Sequence, residues 1–170
     1  MISPEYCQTM ARYNAWQNTG LRKMIPVMDH DDLYKDRGAF FGSIMRTLNH
    51  LLWGDMLWMS RFDGGAAPDP DMSIEDSFEM APTPAVWAAD RFRMDARITL
   101  WAESLHAVDL VGDLEWYSGA MKKQMSKPMA TCVVQLFNHQ THHRGQVHAM
   151  LTAAGQKPND TDLPFMPEDA

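Results

Sequence analysis

Two of the seven histidines, His139 and His143, stand four residues apart in a segment whose apolar positions repeat on a helical period. With Cys132 set at zero, about 100° per residue places Leu136 near 40°, Val147 near 60° and Met150 near 0°, with His139 near 340° and His143 near 20°. Both imidazoles therefore turn toward the inward arc, whereas His142 (about 280°) lies on its flank and His148 (about 160°) on the far side. Imidazoles buried side by side cost about 1 to 3 kcal/mol for each polar group left without a partner. A divalent ion removes that cost, because i, i+4 spacing lets two neutral rings reach one metal at about 2.0 to 2.1 Å. Hydrogen-bonded core histidines fit the same pattern, and the spacing leaves both readings open. His50 is the natural third ligand, but it falls about 240° from Ile44, to the side of the apolar centre marked by Leu48, Leu51, Met59 and Phe62. A lateral residue still meets a neighbouring helix when its own helix is apolar nearly all round.

Three other residues, Cys132, Asp55 and Gln146, could serve such a site. Cys132 shares the inward arc as a nucleophile or ligand, or as a small buried hydrophobe. Asp55 could orient a ligand imidazole or act as a base, or could pair with an arginine. Gln146, three residues after His143, could line a pocket or bond a helix end, and Arg144 suits a surface or interhelical position. The 15 methionines and 6 tryptophans read as core packing rather than as an apolar substrate pocket. No glycine-rich phosphate loop and no Gly-x-Ser-x-Gly elbow is present, which argues against nucleotide binding and serine hydrolysis.

Four long helices must position these residues. Ser3 and Pro4 start the first, and Pro26 ends it. An Asp-rich loop follows to Gly42. Ser43 caps the second, which reaches Phe62 before Asp63-Gly64-Gly65. Residues 64–82 are rich in breakers and read as a long crossover with a short helical turn. Thr83-Pro84 open the third helix, which ends near Leu105. Leu114 to Ser118 and Met121 to Lys127 read as a short β-hairpin around Gly119-Ala120. The fourth helix spans about 130–154 and stops at Gly155. The expected architecture is all-α: a four-helix bundle over 1–155, with a polar C-terminal tail at 156–170.

A net charge of -7 and a pI near 5.4, with basic residues scattered, argue against nucleic acid as partner. The acidic run Asp29-His30-Asp31-Asp32 reads as a solvated loop. The N-terminus carries no export signal and no run of about 18 apolar residues occurs, so a cytoplasmic protein outside the membrane is expected, with Cys7 and Cys132 as thiols.

Three segments carry a family resemblance: Tyr13-Asn14-Ala15-Trp16, then Gly42 to Trp53 with Thr47-Leu48-Asn49-His50, and Phe137 to Gln146 with His139-Gln140-Thr141-His142-His143. In this order the chain resembles the DinB/YfiT-like superfamily, apart from 64–82 and the region after Gly155, which match loosely. The resemblance implies a bundle whose metal triad takes one histidine from the second helix and a His-x-x-x-His pair from the fourth. It thus implies His50, His139 and His143 as ligands, with His143 and not His142 beside His139. It implies one divalent ion, zinc first and nickel second, with an open coordination position. It also points to a small-molecule substrate such as a low-molecular-weight thiol in S-transfer, with a non-catalytic or stress-response metal module and a metal-dependent hydrolase as alternatives. Bundles of this family often pair, and Val86, Trp87 and Phe92 cannot share one helical seam, so a homodimer is expected.

Overall fold

The computed structural model describes residues 2–119 and 121–168. Helix α1 (Pro4–Met24) starts where Ser3 accepts from the Tyr6 amide and Pro4 fills the first turn, and it runs into a short 3₁₀ turn, Ile25–Val27, at Pro26. The acidic run is not merely a loop. Asp29 accepts from the Asp31 amide and caps a short helix α2 (His30–Tyr34), with Asp31 and Asp32 in its positive first turn. Helix α3 (Ile44–Asp63), the second long helix, is capped by Ser43 and closed by Gly64 at φ 68°, a left-handed stop that favours glycine.

The crossover contains a single short helix, α4 (Ile74–Ser77), held by a reciprocal Ser73–Asp76 capping box. Helix α5 (Pro84–Ser104) begins at the Thr83 cap. Strands β1 (Asp113–Ser118) and β2 (Lys123–Pro128) form the antiparallel hairpin, with Trp116 opposite Met125. Ala120 of the expected Gly119-Ala120 turn lies outside the described residues. Helix α6 (Met129–Ala153) follows the hairpin directly.

The bundle is a ring of helix contacts: α1 packs chiefly on α5 and α3 chiefly on α6, while α3 also meets α5 and α1 meets α6. Leu48, Leu52, Met59, Trp87, Ile98, Leu136 and Val147 fill its centre, and the Trp87 indole donates to the Leu48 carbonyl at 3.3 Å. A buried polar seam crosses this apolar centre. Arg91 on α5 reaches Asp55 on α3 at 2.5 Å and Asp95 on its own helix at 2.9 Å. Asn14 and Asn18 on α1 donate to Asp95 at 3.2 and 2.8 Å, and Arg144 on α6 donates to Asn14. All four long helices are therefore tied by hydrogen bonds in which Arg91, between two carboxylates, stays charged. Removing one member of such a buried set costs about 3 to 5 kcal/mol, because the remaining charge is left uncompensated. Beyond Gly155 the chain returns along α1, where Tyr13 Oη and Gln17 Nε2 donate to the carbonyls of Thr161 and Asp160 at 2.6 and 2.8 Å.

Candidate metal centre

Helix α3 is buried on nearly every side, so the lateral phase of His50 turns it onto α6 instead of into solvent. There it meets His139 and His143. One ring nitrogen from each of the three lies within 4.8 Å of the others, and His50 Nε2 stands 3.3 Å from His139 Nε2. Two nitrogens bound at about 2.05 Å in a tetrahedral shell stand about 3.3 to 3.4 Å apart. The His50–His139 separation of 3.3 Å matches that of the shell and also falls within hydrogen-bond reach, so the pair fits an ion without requiring one.

The electrostatics suit coordination as well. Burial, reinforced by its neighbour His143, lowers His50 to about 4. Burial, reinforced by His143, His50 and His142, lowers His139 to about 3. His143 is lowered for the same first reason. All three are neutral at pH 7, the state in which an imidazole nitrogen offers its lone pair to a metal.

Three further residues shape the cluster. His143 Nδ1 donates to Gln146 Oε1 at 2.9 Å, which leaves Nε2 as the free lone pair, while the Gln146 amide reaches His142 Nε2 at 3.3 Å. Gly54 stands where a Cβ would come within 2.9 Å of His139 Cε1, so the ring occupies space that only glycine leaves. Phe41, in the loop before α3, lies over the rings of His50 and His143 with centroids 4.1 and 5.2 Å away. None of these roles was assigned from the sequence beyond the pocket-lining or helix-end reading of Gln146. A glycine in the middle of an otherwise helix-forming, apolar segment was the signal for Gly54.

The other candidates fall elsewhere. Asp55 belongs to the Arg91 seam, the ion-pair reading, and does not orient an imidazole. Cys132 is buried, its thiol pushed up by desolvation, and Cys7 is buried with its thiol pushed up to about 11. Neither offers a ready thiolate. Arg144 is buried and interhelical. His142 is exposed, and His148 faces α1 and the tail.

The geometry can be set beside known proteins. A DinB family profile matches residues 1–170. The chain belongs to the DinB family. It is 24% identical over 161 residues to Protein DinB of Bacillus subtilis (strain 168), covering 93% of this chain and 91% of that protein. The fold is similar to the crystal structure of a DinB-like protein from Bacillus cereus, with a TM-score of 0.60 and 17% identity over 85% of this chain and 90% of that one. Family and fold therefore agree with the all-α bundle read from the sequence. A cluster of His50, His139 and His143 that could hold a metal ion sits where α3 and α6 meet.

Proposed function

We propose that this DinB family protein is a metal-dependent enzyme whose single divalent ion, zinc first and nickel second, is held by His50, His139 and His143. The reading rests on three neutral imidazoles whose ring nitrogens gather within 4.8 Å of one another. Three protein ligands are the set found in catalytic sites, where a fourth position takes water or substrate. Bound there, a divalent ion supplies Lewis acidity that holds a thiol as thiolate or brings the pKa of water toward about 7. The chain's own residues do the rest. Gln146 fixes the tautomer and orientation of His143, Gly54 admits the His139 ring, and Phe41 shields the His50 and His143 rings from solvent. The buried thiols of Cys7 and Cys132 stand outside the cluster, so a thiol reactant would be a small molecule from solution. The chemistry proposed is S-transfer from such a low-molecular-weight thiol.

Elemental analysis of untagged protein tests the centre. Near-stoichiometric metal that disappears in His50→Ala, His139→Ala and His143→Ala but persists in His142→Ala supports it, and metal retained in any of the first three overturns it. Thiol transfer to small electrophiles, lost with the metal, tests the reaction; hydrolysis without a thiol would replace it.

We also propose a homodimer formed through α5. Trp87 is buried at 1% exposure, but Phe92 and Leu100 are 57% and 66% exposed on the helix's outer side. Neither the crossover nor the tail removes them from solvent.

A further inference from the structure

Helix α6 lines a cavity with a second face. Thr141, Arg144, Gly145 and His148 follow the i, i+3, i+4, i+7 pattern, and about 100° per residue puts them roughly half a turn from His139 and His143. Between this face, α1 and residues 158–161 of the tail lies a cavity of about 300 Å³. That is the lower end of the range for small-molecule sites. It is separate from the histidine cluster.

Its polar anchor is Arg144, which is only 8% exposed. Among the described residues its hydrogen bonding is limited to Nη1, which donates to Asn14 Oδ1, and no carboxylate lies within ion-pair distance. The two buried acids of the seam, Asp55 and Asp95, are both engaged by Arg91. None of the Arg144 nitrogens is sealed in protein without a partner, and the residue lines the cavity, its guanidinium beside the Tyr13 ring. Burial lowers the guanidinium to about 10, which leaves it charged at neutral pH. A buried cation that lines a cavity with only Nη1 engaged suits the fork geometry of a carboxylate.

The rest of the lining defines the ligand further. Leu21 and Met24 give one apolar wall, and Gln17 and Asn159 add amides. A single cation beside an apolar wall suits a monoanion with an apolar body; a phosphate dianion would bring a charge with no partner into a buried site. The chain as a whole carries -7 and offers no general attraction to anions, so any such binding must be local. The tail completes the enclosure because Gly20 has no Cβ, and one there would overlap the Asn159 side chain.

We propose that this cavity binds a small organic carboxylate, its head group on Arg144 and its apolar body against Leu21 and Met24. The test titrates the metal-free full chain with benzoate, benzamide and inorganic phosphate while following backbone amides in ¹H–¹⁵N spectra. Benzoate should move the amides of Gly20, Gly145 and Asn159 saturably, with benzamide at least tenfold weaker. Arg144→Gln should weaken benzoate at least tenfold. Because Arg144 also holds Asn14, a second variant covers a failure of the first to fold: Gly20→Leu pushes Asn159 off α1 and should weaken benzoate at least fivefold. The proposal is overturned if benzoate gives no saturable shifts, if benzamide binds equally, if phosphate binds more tightly, if shifts centre on His50, His139 and His143, or if a folded variant binds as wild type does.

Discussion

Replacing Gly54 by alanine should move metal affinity and metal-free stability in opposite directions. The added Cβ would lie 2.9 Å from His139 Cε1 and 3.4 Å from its Nδ1. Carbon atoms rest at about 3.5 Å or more, so the ring must retreat by about 0.6 Å, three times the roughly 0.2 Å by which a metal–ligand distance can vary. Losing an outer-shell partner alone costs about 10- to 100-fold in affinity, and displacing a ligand ring should cost at least as much. Gly54 is an interior helical residue, where alanine gains about 1 kcal/mol in helix propensity.

The magnitudes separate cleanly in a thermal melt. At a metal concentration about 1,000 times the wild-type Kd, binding adds about 4 kcal/mol, and a 100-fold loss of affinity reduces this to about 1.4. At about 2 to 4 °C per kcal/mol for a chain of this size, the metal-induced rise in Tm should shrink by about 5 to 10 °C, while the metal-free Tm rises by about 2 to 4 °C. Gly145→Ala is the control: nothing lies within 4 Å of its added Cβ, so it should show the propensity gain with no change in metal response. A Gly54→Ala protein whose Tm rises with zinc as much as wild type would refute the placement of His139 in a coordination shell.

Gln146→Ala should weaken metal binding by about 10- to 100-fold in a competition titration, and Gln146→Glu, which still accepts from His143 Nδ1, should restore most of it. Burial holds His50 at about 4 and His139 at about 3, against about 6.5 in the unfolded chain. The unfolded chain therefore binds the extra protons, and the stability contribution is complete above about pH 6.5 and lost as pH falls toward 4. Urea midpoints of metal-free protein should accordingly drop between about pH 7 and 5 more steeply for wild type than for His139→Leu. Light scattering at micromolar concentration should give about twice 19.4 kDa, and Phe92→Glu with Leu100→Glu should halve it without loss of helicity; a wild-type mass of one chain removes the dimer.

The helices were legible because their ends are chemical. Ser3-Pro4, Ser43 and Thr83-Pro84 each supply an oxygen for an unpaired amide, and the structure uses all three. The hairpin was visible in its alternating residues and differs by two residues or fewer at its ends. Helix α2 was hidden because a run of three acids looks solvated, although Asp29 caps and Asp31 and Asp32 favour the positive end of a helix. His139 and His143 could be paired from phase, but joining His50 to them depended on the family resemblance, since phase only placed it to the side. The roles of Gly54 and Phe41 depend on how closely α3 approaches α6 and where the preceding loop lies, and no spacing within one segment carries that information.

Helix α6 shows why phase places His139 and His143 on one side together yet leaves Arg144 open between a surface and an interhelical position. An amphipathic reading assigns one arc to the core and the remainder to solvent. Here the buried residues extend from Cys132, Leu136, Val147 and Met150 around to Val133, Phe137, Gln140, Arg144 and Leu151. The histidines lie at one border of this broad face, against α3, and Arg144 near the other, against α1. Because the polar seam places a charge inside the bundle, polarity no longer marks the outside of the helix. What licenses Arg144 there is a partner on another helix, Asn14, itself tied through Asp95 to Arg91. A buried polar group is legible in a sequence only together with its hydrogen-bond partner, and for Arg144 that partner, Asn14, stands 130 positions away along the chain. The same wide burial that obscures Arg144 gives α6 two separate inward faces, one carrying the histidines and the other lining the cavity beneath the tail.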